Sequence, residues 1–261
     1  MRRSHIIVLG LVGATLILIG CNSGTDSGTS TTTPTNASAT GVWSGTDSVS
    51  NLAVTAFINS AGEAEFISAS GAQLFVGTVQ ISGSTFDVAV DGYSNFGGTA
   101  FSDGSTYGVG TVTGTIVSGS TLTATLSFTT SGGTAITGNW TLSFDAVSNS
   151  GSSLSAISGN YTDGATGATV AIDGTGDISS QDANTGCVLT GTVSTTDTTY
   201  DVYQLVYTYK NCVGTYAALN GFQLSGLAVL NTSVSPTQLD IAVTGGAAGT
   251  SYGVVSYLNA T

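Results

Sequence analysis

Beyond residue 20 this chain of 261 residues has no arginine, no histidine and no methionine, and Lys210 is its one basic side chain. Fifteen acidic residues against that single lysine give −14, where the whole chain carries −12 because Arg2 and Arg3 lie in its first twenty residues. Affinity for phosphates comes from Lys and Arg displacing counterions, so a nucleic-acid partner is excluded. Without histidine there is no Ser-His-Asp or Cys-His nucleophile system and no ordinary zinc site. Without arginine there is no bidentate clamp for carboxylate or phosphate substrates. Paired carboxylates, as in glycoside hydrolysis, are the catalytic chemistry that remains. Only two glutamates occur, Glu63 and Glu65. Two apart in a strand-like segment, they share one face, and an exposed strand face accounts for such a pair without catalysis. The acidic stretch Asp173-Gly174-Thr175-Gly176-Asp177, with Asp182 nearby, lacks the spacing of an EF-hand loop and reads as Asp-Gly turn chemistry. No metal, cofactor or catalytic residue is expected.

Long apolar runs are also scarce. The longest, Ile6 to Ile19, follows Arg2 and Arg3 and ends at Gly20-Cys21. Its length falls short of the roughly 20 residues that cross a bilayer, and the order of charged, apolar and small residues is that of an export signal. Leu18-Ile19-Gly20-Cys21 resembles the lipobox of bacterial lipoproteins. The resemblance implies cleavage before Cys21, lipid on that cysteine and a membrane partner through the anchor. By the same family's sorting rule, Asn22 rather than aspartate after the cysteine favours the outer membrane. Residues 22–40 contain no aromatic and no large aliphatic residue and read as a disordered tether. Fully stretched it would reach about 65 Å.

With Cys21 assigned to lipid, Cys187 and Cys212 are left as a pair in an exported chain, where disulfides form. Segments 187–194 and 200–210 read as neighbouring strands joined by a polar turn, which sets the two cysteines opposite each other. A bridge with Cα atoms about 5.5 Å apart is expected.

No window after the tether holds apolar residues at helical spacing. Short alternating runs between Gly and Asn turns dominate instead, as in Ser84 to Asp91, where Phe86, Val88 and Val90 share one face. The chain is therefore all-β, with further strands near 52–58, 63–68, 73–81, 108–117, 121–129, 135–145, 168–173, 186–194, 199–210, 221–231, 237–244 and 251–258. It also repeats. At a shift of 114, Ile58 falls on Ile172, Gly62 on Gly176, Gly77-Thr78-Val79 on Gly191-Thr192-Val193 and Phe86-Asp87-Val88 on Tyr200-Asp201-Val202. Gly41-Val42-Trp43 answers Gly159-Asn160-Tyr161 at 118, so the first turns differ by four residues. Two β modules, 41–145 and 157–261, with a linker at 146–156, account for this.

Each copy opens with Gly-x-aromatic and meanders through short strands, which resembles the lipocalin and avidin superfamily. That likeness implies two tandem antiparallel up-and-down β-barrels; β-sandwiches satisfy the same strand pattern. The arrangement is also similar to bacterial envelope lipoproteins with two such modules. One stripe, Tyr203, Leu205, Tyr207 and Tyr209, falls on the strand face opposite Tyr200, Val202 and Val206. Aligned with the first copy it lies outside the barrel, where it packs against the other module or neighbouring strands or serves as a binding face for an envelope protein or glycan. The expected function is that of a non-enzymatic outer-membrane lipoprotein presenting two β modules. A carboxylate-based glycan hydrolase and a carrier of a small apolar ligand are the alternatives, to be told apart by the barrel interiors.

Overall fold

Residues 121–130, TLTATLSFTT, show in one strand why this sequence builds barrels: Leu122, Ala124, Leu126 and Phe128 are buried, and the threonines and serine between them are exposed. The computed structural model describes residues 35–261 except 69–71, 99, 165–166, 183–184 and 248–249. The export signal, Cys21 and most of the tether lie outside the described residues.

The first module contains β1 (Gly41–Asp47), β2 (Ala53–Ile58), β3 (Glu63–Ser68), β4 (Gln73–Thr78), β5 (Gln80–Ser82), β6 (Thr85–Ser94), β7 (Tyr107–Val117), β8 (Thr121–Thr130) and β9 (Ala135–Phe144). All pairings are antiparallel, β1 closes on β9, and β4 and β5 run one after the other along β6. The second module comprises β10 (Gly159–Asp163), β11 (Thr169–Ile172), β12 (Asp177–Gln181), β13 (Val188–Thr195), β14 (Tyr203–Lys210), β15 (Gln223–Asn231), β16 (Gln238–Ala247) and β17 (Thr250–Ala260). It closes by pairing β10 with β17. Both modules are closed antiparallel barrels of eight strand positions, so the sandwich alternative falls. Closure leaves no sheet edge to protect, in keeping with a chain almost without lysine. Among the described residues no helix is long and apolar enough to cross a membrane.

The repeat is visible atom by atom. Trp43 and Tyr161 are both buried, and each donates a hydrogen bond to the carbonyl four residues before it: Trp43 Nε1 to Ala39 O and Tyr161 Oη to Ile157 O, both at 2.7 Å. Gly41 pairs with Ile58 and Gly159 with Ile172. β10 and β11 are each two residues shorter than β1 and β2, which removes four residues without moving that register. The next turn repeats as well. Gly62 and Gly176 sit at φ 84° and 90°, a left-handed conformation suited to glycine, and their carbonyls accept from Val79 and Val193 N–H at 2.8 Å.

The tether ends earlier than its composition implies. Ala39 is buried in the first core, Ala37 N–H bonds Gly83 O at 2.7 Å and Ser38 N–H bonds Ser118 Oγ at 2.8 Å. Small residues suit this path because they lie flat on the barrel, so 35–40 belong with the first module.

The outer faces of the two barrels pack on each other. Phe57, Ile67 and Leu74 meet Leu227, Val229, Ala242 and Val255, with Val147 of the linker in the same cluster. The linker is itself ordered by Ser148, whose Oγ accepts from Val42 N–H at 2.7 Å and donates to Val42 O at 3.1 Å.

Candidate functional site: a cavity in the second barrel

The two interiors are filled differently. Phe66, Phe75, Phe128 and Trp140 stack through the first barrel with ring centroids 5.1–6.2 Å apart, above Trp43. The second has Tyr161 and Tyr203 at its lower end and above them a cavity of about 260 Å³. Its walls are chiefly aliphatic, from Ile172, Ile178, Leu189, Leu239, Ile241 and Leu258. That volume lies between the roughly 150 Å³ that holds a benzene and the roughly 300 Å³ at which ordinary ligand pockets begin.

The tyrosine stripe lies here, which corrects its assignment to the outer face. Tyr203, Leu205 and Tyr207 are 0 %, 1 % and 4 % exposed and belong to the second core, with Tyr209 packed against it. Leu205, Tyr207 and Tyr209 line the cavity. The cause is a change of repeat length in one turn. In the first barrel Ile81 pairs with Phe86; Thr195, 114 residues further on, pairs with Tyr203 and not Tyr200. Three extra residues stand in the second turn. An odd slip moves every side chain to the opposite face, so Tyr203, Leu205 and Tyr207 take the inward places of Phe86, Val88 and Val90. Burial pushes the phenols of Tyr207 and Tyr209 upward, and both are neutral at physiological pH.

Two devices close the upper end. The first is a short 3₁₀ turn, Gly214–Leu219, that brings Tyr216 and Leu219 over the cavity. Cys187 and Cys212 form the expected disulfide at its root, with Cα atoms 4.0 Å apart. The ladder of the two strands ends at Val188↔Lys210, and Asn211, at φ 61°, turns the chain just before Cys212. Asn220 completes the clasp, accepting from Cys212 N–H at 2.7 Å and donating to Cys212 O at 2.8 Å.

The second device comes from the other module. β10 pairs with β17 at only three positions, Asp163↔Leu258 being the uppermost, whereas β1 pairs with β9 at five. The shortening of β10 leaves the seam above Leu258 without a strand. Asn95 and Phe96, in the long connection after β6, occupy it. Asn95 exchanges side-chain hydrogen bonds with Val255, Nδ2 to O at 3.2 Å and N–H to Oδ1 at 3.0 Å, and Phe96 N–H bonds Gly253 O at 2.8 Å. The Phe96 ring then meets Tyr252 at 4.9 Å and Tyr216 at 6.0 Å. Asn95 and Phe96 both line the cavity. Nothing in the spacing of the second module signals residues supplied by the first; the length of the connection between β6 and β7 was the only hint.

Compared with protein-family models, curated proteins and solved structures, the chain matches none.

The other sequence candidates lie elsewhere. Glu65 is not on an exposed face but 1 % exposed between the barrels, where its Oε2 accepts from Leu227 N–H at 3.1 Å. Burial pushes its carboxyl well above the usual range, only partly offset by that N–H. Glu63 accepts from Asn59 Nδ2 at 3.1 Å. Neither glutamate lines the cavity. Asp173 Oδ1 accepts from the N–H groups of Thr175 and Asp177 at 2.8 and 3.0 Å. Asn59 Oδ1 does the same for Ala61 and Glu63, at 3.0 Å each. Asp173 is thus the second module's copy of a turn-forming amide. Cys21 lies outside the described residues.

Proposed function

We propose that this chain is a non-catalytic envelope lipoprotein whose second barrel receives a small, mostly apolar ligand and whose first barrel is the filled scaffold that holds the receptor closed. One observation carries the reading: of two copies of the same unit, one interior is packed with aromatic rings and the other is hollow, capped and bordered by neutral phenols. An apolar hollow of this size favours a carrier over a purely structural pair of modules. The glutamate pair, spent on a turn and on the barrel interface, gives no support to glycan hydrolysis. Anchoring at Cys21 in the outer membrane rests on the lipobox alone, and it predicts that Cys21→Ala leaves the membrane fraction or stays unprocessed. Membrane retention of a processed Cys21→Ala protein would overturn it.

The cavity is tested with toluene as probe and thermal unfolding as readout. At ten times its Kd a ligand bound only to the native state adds about 1.4 kcal/mol, roughly 3–6 °C for a molecule of this size. Leu205→Phe, which fills the space, should abolish the toluene shift, with circular dichroism confirming that it folds. No shift for the native protein at saturating toluene refutes the receptor reading.

A further inference from the structure

The electrical character of the cavity narrows the ligand further, and this inference rests on the receptor reading above. Among the described residues, every side chain on its lining is apolar, neutral polar or acidic. Asp163 and Asp182 are the charged groups among them, and Lys210, the only cation among the described residues, is exposed on the outside. Asp163 sits at the top of the short β10, where the seam begins, and Asp182 just past the end of β12, where it accepts a 2.6 Å hydrogen bond from Thr185 Oγ1. Phe96, Tyr207, Tyr209 and Tyr216 line the same cavity, and Asp163 stands beside Leu258, which pairs in turn with Leu239. Tyr207 and Tyr209 meet edge to face with centroids 5.4 Å apart, so the two rings present surfaces in different directions around one space.

Each element of this arrangement discriminates by charge. An anionic headgroup would lose its water with no cation to replace it, beside two carboxyl groups, and that desolvation is uncompensated. A cation is drawn to the negative faces of aromatic rings as well as to carboxylates, and the attraction grows as water is excluded. A neutral ligand gains only from the aliphatic floor. We propose that the cavity selects a compact hydrophobic ammonium: an apolar body of one or two rings, or a short chain, packed on the aliphatic walls, with its cationic nitrogen beside the aromatic rings and the carboxyl groups of the lining. The fatty acids and other carboxylates that an apolar barrel would ordinarily accept are rejected.

Three probes built on one phenyl ring separate the terms. Phenyltrimethylammonium, its uncharged isostere tert-butylbenzene and the anion benzoate are each titrated into the intact protein by calorimetry at low salt. A cation held by desolvated rings gains about 1–2 kcal/mol, so the ammonium should bind roughly five- to thirtyfold more tightly than tert-butylbenzene, and benzoate should be weakest. Asp182→Asn and Tyr209→Leu should each lower the ratio of ammonium to tert-butylbenzene affinity severalfold, a change that general unfolding cannot produce because it would weaken both ligands alike. If tert-butylbenzene binds as tightly as the ammonium, or benzoate binds best, the charge selection is wrong and the receptor stands. If none of the three binds while toluene still raises the melting temperature, the charge selection is wrong and the receptor stands; if toluene is silent too, both fall.

Discussion

Asp201 and Asp240 are buried carboxyls without a positive partner. They are 1 % and 8 % exposed, and one oxygen of each, Asp201 Oδ2 and Asp240 Oδ1, has no hydrogen-bonding partner within the protein. Burial pushes the Asp201 carboxyl up to about 7, with Asp240 adding to the effect, and lifts Asp240 to about 6. An acid whose folded pKa is raised binds its proton more tightly in the native state than in the unfolded chain. The native state is therefore favoured below the unfolded value near 4, and that advantage is lost as pH rises through about 6 and 7. Thermal melts should show highest stability near pH 4–5 and a fall as pH rises through about 7, with buried Glu65, also raised, contributing to the same slope. Asp201→Asn keeps the shape and cannot ionise, so it should flatten the slope and raise Tm at pH 8 relative to wild type. An unchanged slope in that variant would remove Asp201 from the account and leave Asp240, Glu65 and general charge repulsion as the causes.

At the scale of elements, what was legible in the chain and what was not divide at a single hairpin. Strand faces, turn glycines and the two modules are local: Phe86, Val88 and Val90 alternate because a strand does, and Gly62 and Gly176 recur because the same turn recurs. The closing of the hairpin by a disulfide was legible for the same reason, since Cys187 and Cys212 frame it. That bridge joins cysteines 25 positions apart, a loop whose closure stabilises by roughly 3.5 kcal/mol in the chain-entropy model, and it also fixes the root of the cap that carries Tyr216. The direction of the tyrosine stripe was not legible. A constant shift carried across a turn with three extra residues puts Tyr207 outside, and only the paired register puts it inside. The seam was hidden for a different reason: shortening β10 by two residues looks like a harmless trim, and its consequence is met by Asn95, which belongs to the other barrel and lies 160 residues from its partner.

The aromatic residues divide between the modules by their polarity. Eight of nine phenylalanines and both tryptophans lie in the first, and eight of ten tyrosines in the second. Rings without a hydroxyl suit a sealed core, and phenols suit a wall that meets a ligand. The two barrels nevertheless share a third core, where the outer face of each packs on the other. Glu65 is the polar centre of that contact. Its carboxyl lies where a side chain on residue 226 would stand, with Oε1 2.2 Å from the place a Cβ on Gly226 would occupy, and its other oxygen satisfies Leu227 N–H. Glu65→Ala leaves that N–H buried without an acceptor and opens a void beside it, which should cost about 1–3 kcal/mol. The probe is favourable, since Trp43 and Trp140 report only the first barrel while far-ultraviolet circular dichroism reports both. In wild type the two denaturant transitions should coincide, and in Glu65→Ala both should move together to lower denaturant. Were the tryptophan transition to move alone, or to separate from the dichroism in wild type, the barrels would be independent domains and the Asn95–Phe96 closure of the cavity would lose its scaffold.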